Sequence, residues 1–194
     1  AGTVGIKYGY TRASSDMFDI RIRGKSAHGA YPETGADAIV AASAVVTAIQ
    51  SIVSRNTNAF EPCVITIGVF QAGSAGNIVC DEAFLSGTIR TVSPEVREQS
   101  MKRLREIAEG VAAAYGTKAE VVFRPGYIAL RNDREVTEIL ERTAVSFVGA
   151  EHVKILDQAM MSVDDFSFFA EQVPSVYFFA GSGYSDRENY GLHH

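Results

Sequence analysis

The sequence is poor in thiols. It holds two cysteines, Cys63 and Cys80, far from a Cys-x-x-Cys spacing. A disulfide framework or a zinc knuckle needs more thiols at closer spacing, so both are expected as reduced side chains in or near a core. Basic blocks are also missing. With 18 Lys and Arg against 23 Asp and Glu, the formal net charge is −5. A sequence-independent nucleic-acid binder needs a basic face, so nucleic acid is excluded as a partner. The lack of Lys/Arg runs likewise speaks against a membrane-surface role. No apolar run is expected to be long enough for a transmembrane helix. Residues 1–19 carry Lys7, Arg12, Asp16 and Asp19 and no apolar core of a signal peptide, which makes a cytoplasmic protein the default expectation. Internal repeats and low-complexity segments are absent. The chain also opens without Met, on Ala1-Gly2-Thr3, the start expected of a piece of a longer parent.

What is present is ordinary for a globular protein. Apolar residues make up 46% and charged residues 21% of 194 residues, enough for one large domain or two small ones. Residues 16–24 (DMFDIRIRG) place Phe18, Ile20 and Ile22 on one face and Asp19, Arg21 and Arg23 on the other, which predicts a strand. Residues 35–55 read as an Ala-rich helix with Ile39, Val46, Ile49 and Val53 at helical spacing. Val64 to Phe70 predicts a second strand, 71–77 (QAGSAGN) a Gly/Ser loop, and Phe84 to Thr91 a third strand. Ser93-Pro94-Glu95 marks a helix start: a capping hydroxyl, a proline at the first helical position, and an acid near the positive end of the dipole. That helix should run to Tyr115 and stop at Gly116. Residues 118–124 supply a fourth strand.

The order β-α-β-β-α-β is the ferredoxin-like split βαβ arrangement, expected over residues 16–125. Residues 1–15 read as the incomplete end of another domain, or a connector from it. Pro125-Gly126 punctuates the chain, and 126–194 has a different texture. There, Asn132 with Glu135 suggests a capping box for a helix ending at Gly149. A short strand is expected at 153–156, Ser162 should cap a helix through Phe166 and Phe169, and Val176 to Ala180 (VYFFA) should be a strand buried on both faces. Such strands need sheet neighbours, so this part reads as a portion of a second, α/β domain.

Several residues could carry chemistry. In RGKSAHGAYP, residues 23–32, His28 sits in a loop where packing does not ask for it. His152 reads as solvent-exposed, and the closing pair His193-His194 is by itself most simply a tag-like or disordered end. Asp164 and Asp165 read as a carboxylate pair in the first turn of a helix, where dipole complementation suffices to explain them. Asn77 ends the Gly-rich loop, a common place for a turn-forming asparagine. Arg90 lies in an otherwise apolar strand, either facing the surface or waiting for an anion.

Together these pieces resemble the metal-dependent aminoacylase–carboxypeptidase family, and within it the amidohydrolases of N-acyl amino acids such as hippurate hydrolase and the indole-acetyl-amino-acid hydrolases. RGKSAHGAYPETGADAI resembles the loop and helix start of that family's lid, or dimerisation, domain. GVFQAGSAGNIVCDEAFLSGTIRT, MSVDDFSFFAEQVPSVYFFAGSG and GLHH resemble further family stretches in the same order. The resemblance implies a homodimer through the lid and a small N-acyl amino acid or peptide-like substrate. It implies that His28 reaches the partner's active site and donates to the developing oxyanion. Asn77 would bind substrate there, and Arg90 would take its carboxylate. His193 would ligate one of two divalent ions, zinc or manganese, with Asp164 and Asp165 supporting the floor. Asp164 replaces the family's usual Glu, and Ser162-Val163 its usual Gly-Ser. The family's His-x-Asp and Glu-Glu motifs, which hold most of the metal ligands and the general base, do not occur in this sequence. By this resemblance, residues 126–194 are the C-terminal portion of a metallohydrolase catalytic domain, and the chain alone is expected to be inactive. The alternative is a non-catalytic ferredoxin-like module for dimerisation or small-molecule binding.

Overall fold

Two short strands, β1 (Val4–Ile6) and β2 (Gly9–Arg12), precede β3 (Asp16–Arg23). Period-two alternation in β3 puts Phe18, Ile20 and Ile22 at zero exposure while Met17, Arg21 and Arg23 face outward. The computed structural model describes residues 2–184 and 186–189. Its chain divides into two units, one of Ser14–Tyr127 and one of the segments before and after it.

In the first unit a two-residue strand, β4 (Ala27–His28), leads to α1 (Ala38–Ser51), which a wider π-type turn extends through Asn56. The strands β5 (Cys63–Ala72), β6 (Ile78–Val79) and β7 (Glu82–Thr91), the helix α2 (Pro94–Ala114) and β8 (Lys118–Pro125) complete it. The main sheet is antiparallel in the order β5-β7-β3-β8, the second, third, first and fourth long strands of the unit. This is the expected ferredoxin-like topology. Phe18, Leu85, Ile89 and Val121 on one sheet face pack with Val45 and Ile49 of α1 and Leu104 and Ala108 of α2 in a single core, and Cys63 and Cys80 lie buried in it as free thiols. Phe18 pairs in register with Gly87, and a Cβ at Gly87 would stand 2.5 Å from the Phe18 ring and 2.1 Å from the Thr66 carbonyl oxygen. Glycine there is what lets the ring lie on the sheet.

Local signals set the helix ends. The Asp37 carboxylate accepts the N–H groups of Ile39 (2.8 Å) and Val40 (3.3 Å) at the start of α1. Ser93 Oγ accepts the Val96 N–H at 3.2 Å, Pro94 opens α2, and Gly116, at φ 69°, follows its end. One sequence expectation is corrected here. With its extension, α1 covers Ala38–Asn56 at mean hydropathy 1.6, long and apolar enough by length and composition to cross a membrane. Its Ala38, Ala41, Ala42, Val45 and Ile49 instead form the face packed into the core.

In the second unit, β2 pairs with β9 (Leu130–Asn132), followed by α3 (Arg134–Val148). The remaining elements are β10 (Val153–Ile155), α4 (Phe166–Gln172) and β11 (Phe178–Ala180). β1 lies between β10, parallel to it, and β11, antiparallel. Three local expectations fail. Asp133, not Asn132, caps α3, its carboxylate accepting the Val136 N–H at 3.0 Å. The Asn132 side chain is engaged elsewhere: it donates to the carbonyls of Lys7 and Tyr177 and accepts the Tyr177 N–H, at 2.7–2.8 Å. Ser162 does not cap α4, which begins at Phe166, because its hydroxyl is taken by the Arg12 guanidinium. Finally, β11 is not buried on both faces. Phe178 is 46% exposed, and the strand has one hydrogen-bonded neighbour among the described residues.

Candidate functional site

The first unit presents His28 on a small platform. β4 and β6 form a two-stranded ribbon in which Ala27 pairs with Val79 and His28 with Ile78. The ribbon is pinned to the start of α1 by the Ala38 N–H donating to the Cys80 carbonyl at 2.8 Å. A turn follows, closed by the Tyr31 N–H on the His28 carbonyl at 2.8 Å. Gly29 donates to the Asn77 carbonyl at 2.8 Å, and a Cβ there would stand 2.9 Å from that same oxygen. The close approach requires glycine and fixes Asn77 beside His28. His28 is exposed, its Nδ1 accepts the Ala30 N–H at 3.0 Å, and the Tyr31 ring lies 5.8 Å away, centroid to centroid. Asn77 is exposed at the turn that enters β6.

Arg90 combines features of a surface arginine and of a waiting one. It lies on the sheet face opposite the helices, since Ile89 and Thr91 on either side are buried. It is only half-buried, yet its Nη1 has no water-accessible surface and no hydrogen-bond partner among the described residues. Leaving a buried charged donor unpaired costs free energy, so this geometry suits a residue that meets an anionic group not present here. Its cross-strand neighbour is Val64.

Within one chain, His28 and Arg90 are far apart. The ribbon sits at the end of the sheet where Arg23 pairs with Glu82, and Arg90 is eight positions further along β7. At about 3.4 Å per residue that is on the order of 25 Å along the strand, longer than a single acylated amino acid. The structure therefore brings His28 and Asn77 together and keeps Arg90 apart from them.

In the second unit, Asp164 and Asp165 precede α4 instead of lying in its first turn. Asp165 occupies the cap position with its side chain exposed and makes no capping bond. Asp164 is half-buried; one oxygen accepts the Phe166 N–H at 3.1 Å and the other lies 4.0 Å from Arg12 Nε. Arg12, which the sequence did not single out, organises this corner. It donates to Ser162 Oγ and, at 2.8 Å, to the Tyr177 hydroxyl, and its guanidinium carbon stands 4.9 Å from the Tyr177 ring centroid and 5.2 Å from that of Phe179. His193 lies outside the described residues. Among those described, no group of three or more His, Cys, Asp or Glu side chains could hold a metal ion.

A second arginine was also missed. Arg97, at the start of α2, grips Asp16, at the start of β3, through two hydrogen bonds of 2.6 and 2.7 Å, with Asp16 fully buried. The bonds to Asp16 outweigh burial and raise the Arg97 pKa above its ordinary value. The signal available in sequence is an acid at the first position of a strand, in step with the apolar face of Phe18, Ile20 and Ile22.

A family model for the peptidase dimerisation domain matches residues 10–116. The chain belongs to that family. The dimerisation domain accounts for the ferredoxin-like unit and for the ribbon that carries His28. Among curated proteins, an N-acetyldiaminopimelate deacetylase of Bacillus pumilus is 38% identical over 193 residues, covering 100% of this chain and 50% of that protein. Among solved structures, a protein of methicillin-resistant Staphylococcus aureus described as an aminohydrolase matches with TM-score 0.90 and 30% identity, covering 100% of this chain and 49% of that one. A dinuclear metal-binding peptidase of the M20 family from Bacillus subtilis matches with TM-score 0.71 and 29% identity, covering 91% of this chain and 43% of that one. The chain spans about half the length of the curated relatives it matches.

Proposed function

We propose that this chain is part of an M20-type hydrolase that cleaves the amide bond of N-acyl amino acids. In this reading, residues 16–125 are the lid, through which two copies pair. Residues 1–15, whose strands β1 and β2 pair with β9, β10 and β11, are the incomplete end of the catalytic domain and its connector to the lid, and 126–194 are that domain's C-terminal portion. Two divalent ions, zinc or manganese, serve the complete enzyme. His193 is one candidate ligand, and the described residues offer no cluster for the others. Asp164 and Asp165 support the floor of that site. The observation that carries the proposal is the buried, unpartnered Nη1 of Arg90. A guanidinium with a free donor is suited to a carboxylate, and the acetylated amino acid named in the Bacillus pumilus deacetylase carries one.

His28 then has the role of a pre-placed donor to the oxygen that becomes negative when the amide carbonyl is attacked, with Asn77 beside it as a second substrate contact. The separation of His28 from Arg90 along the sheet supports a division of labour: one small substrate meets Arg90 of one chain and His28 with Asn77 of its partner. In a two-fold dimer this arrangement is reciprocal.

Complementation in the complete hydrolase tests the division. Arg90→Ala and His28→Ala homodimers should each be strongly impaired. A heterodimer of one chain of each kind rebuilds one intact site out of two. Equal mixing and subunit exchange should therefore restore roughly a quarter of wild-type activity. A mixture no more active than its components would refute the assignment of the two residues to different chains.

A further inference from the structure

We infer that the backbone amide of Ala30 is a positioning group for His28, holding its neutral ring in the tautomer with the proton on Nε2. The Ala30 N–H donates to His28 Nδ1 at 3.0 Å. A ring nitrogen accepts only through its lone pair, so Nδ1 is unprotonated and the single proton of the neutral imidazole resides on Nε2. The other tautomer would set two N–H groups head to head across the same distance. The donor cannot turn away, because the turn that carries it is closed at both ends. Tyr31 donates to the His28 carbonyl and Gly29 to the Asn77 carbonyl, each at 2.8 Å. A Cβ at Gly29 would meet the Asn77 carbonyl oxygen at 2.9 Å, which leaves the backbone little room to shift. Nε2 is on the opposite side of the ring from this bond, and the side chain is exposed. The platform thus presents an N–H, not a lone pair, to whatever approaches. The catalytic consequence rests on the oxyanion role given to His28 above; the tautomer itself does not.

Nitrogen-15 spectra of the 194-residue chain labelled at histidine, recorded where the imidazoles are neutral, read the tautomer directly. The His28 signals are identified by their loss in His28→Gln. The expected pattern is a pyridine-like Nδ1 and a pyrrole-like Nε2 with no averaging between them. A proton on Nδ1, or the mixture shown by an unconstrained imidazole, overturns the inference. A second arm replaces residue 30 with its hydroxy-acid analogue, which exchanges the amide N–H for an ester oxygen and leaves the side chain unchanged. The averaged tautomer should then appear in the spectrum. In the complete hydrolase, kcat should fall about two- to tenfold with KM unchanged, the scale of one neutral hydrogen bond. An ester variant whose tautomer stays fixed overturns the inference. A tautomer that shifts while kcat holds supports the role of the amide and removes the oxyanion role of His28.

Discussion

The two units of this chain treat their apolar residues differently. In the lid, Phe18, Ile20, Ile22, Leu85, Ile89 and Leu104 are all fully buried in one cluster. In the other unit Ile6 and Leu130 are as deeply buried, but Phe147 is 88% exposed, Phe169 65% and Ile139 55%. The lid closes one sheet face with two helices of its own and satisfies its core internally. The second unit sets strands of three or four residues and two helices around fewer buried side chains, and although the lid too has an exposed ring, Phe60 at 94%, that ring lies in a loop and not on a helix as Phe147 does. A large difference in the cost of equivalent substitutions follows.

The largest effect is expected inside the lid. Asp16→Ala removes the buried partner of Arg97 and leaves the guanidinium uncompensated, a loss of about 3–5 kcal/mol by the usual behaviour of broken buried pairs. Leu104→Ala should cost about 2–5 kcal/mol through lost packing and the cavity it leaves. Phe147→Ser, an equally drastic change in side chain, should stay within about 0.5 kcal/mol because the ring is already in water. Urea unfolding of the three variants checks the ordering. A Phe147 variant as damaging as Leu104→Ala would break the comparison, since it would mean that the exposed ring is packed in solution.

A smaller effect is expected at the ribbon. Gly29→Ala must displace the Asn77 carbonyl, a backbone atom 2.9 Å from the added carbon, at a cost on the order of 1–3 kcal/mol if the lid absorbs it as overpacking. In the complete hydrolase the same change should lower activity more than it lowers stability, because it separates Asn77 from His28. A stable variant with unaltered activity would detach the pair from function.

The same contrast explains what could be read from sequence. The lid's elements announce themselves locally: strict alternation in β3, Ser93-Pro94 at the start of α2, Gly116 after its end. Two of the second unit's failed expectations are local signals overruled by a distant partner. Asn132 looked like a cap, but its amide is held by Lys7 and Tyr177, 125 and 45 residues away in sequence. Ser162 looked like a cap, but Arg12 occupies it from 150 residues away. The apolar run at Val176 to Ala180 matched a buried strand in composition, yet burial depends on neighbours that composition does not name. The candidate site divides the same way. His28 and Arg90 are visible as residues without a packing reason, while Asn77 stands where a turn asparagine is common and gains a role only through the family resemblance. The ribbon that joins His28 and Asn77 and the missing hydrogen-bond partner of Arg90 are three-dimensional facts.

The smallest effect lies in the second unit and tests whether its ties are surface ties. The Tyr8 hydroxyl donates to Glu141 at 2.5 Å. That hydrogen bond, first, then burial and repulsion by the carboxylate, raise the Tyr8 pKa from 10.0 to about 12. The bond exists only while the phenol is protonated. A folded-state pKa above the unfolded one means that the stabilisation is complete below pH 10 and is lost as pH rises toward about 12. Tyr8→Phe should therefore cost about 1 kcal/mol or less at neutral pH, as for a partly exposed hydrogen bond, and the difference from wild type should close through that alkaline window. In an absorbance titration at alkaline pH, wild type should show an ionisation near 12 that Tyr8→Phe lacks. A Tyr8 that ionises near 10.0 would show the bond to be too weakly held to count, and would widen the gap between a lid fixed from within and a second unit fixed at its surface.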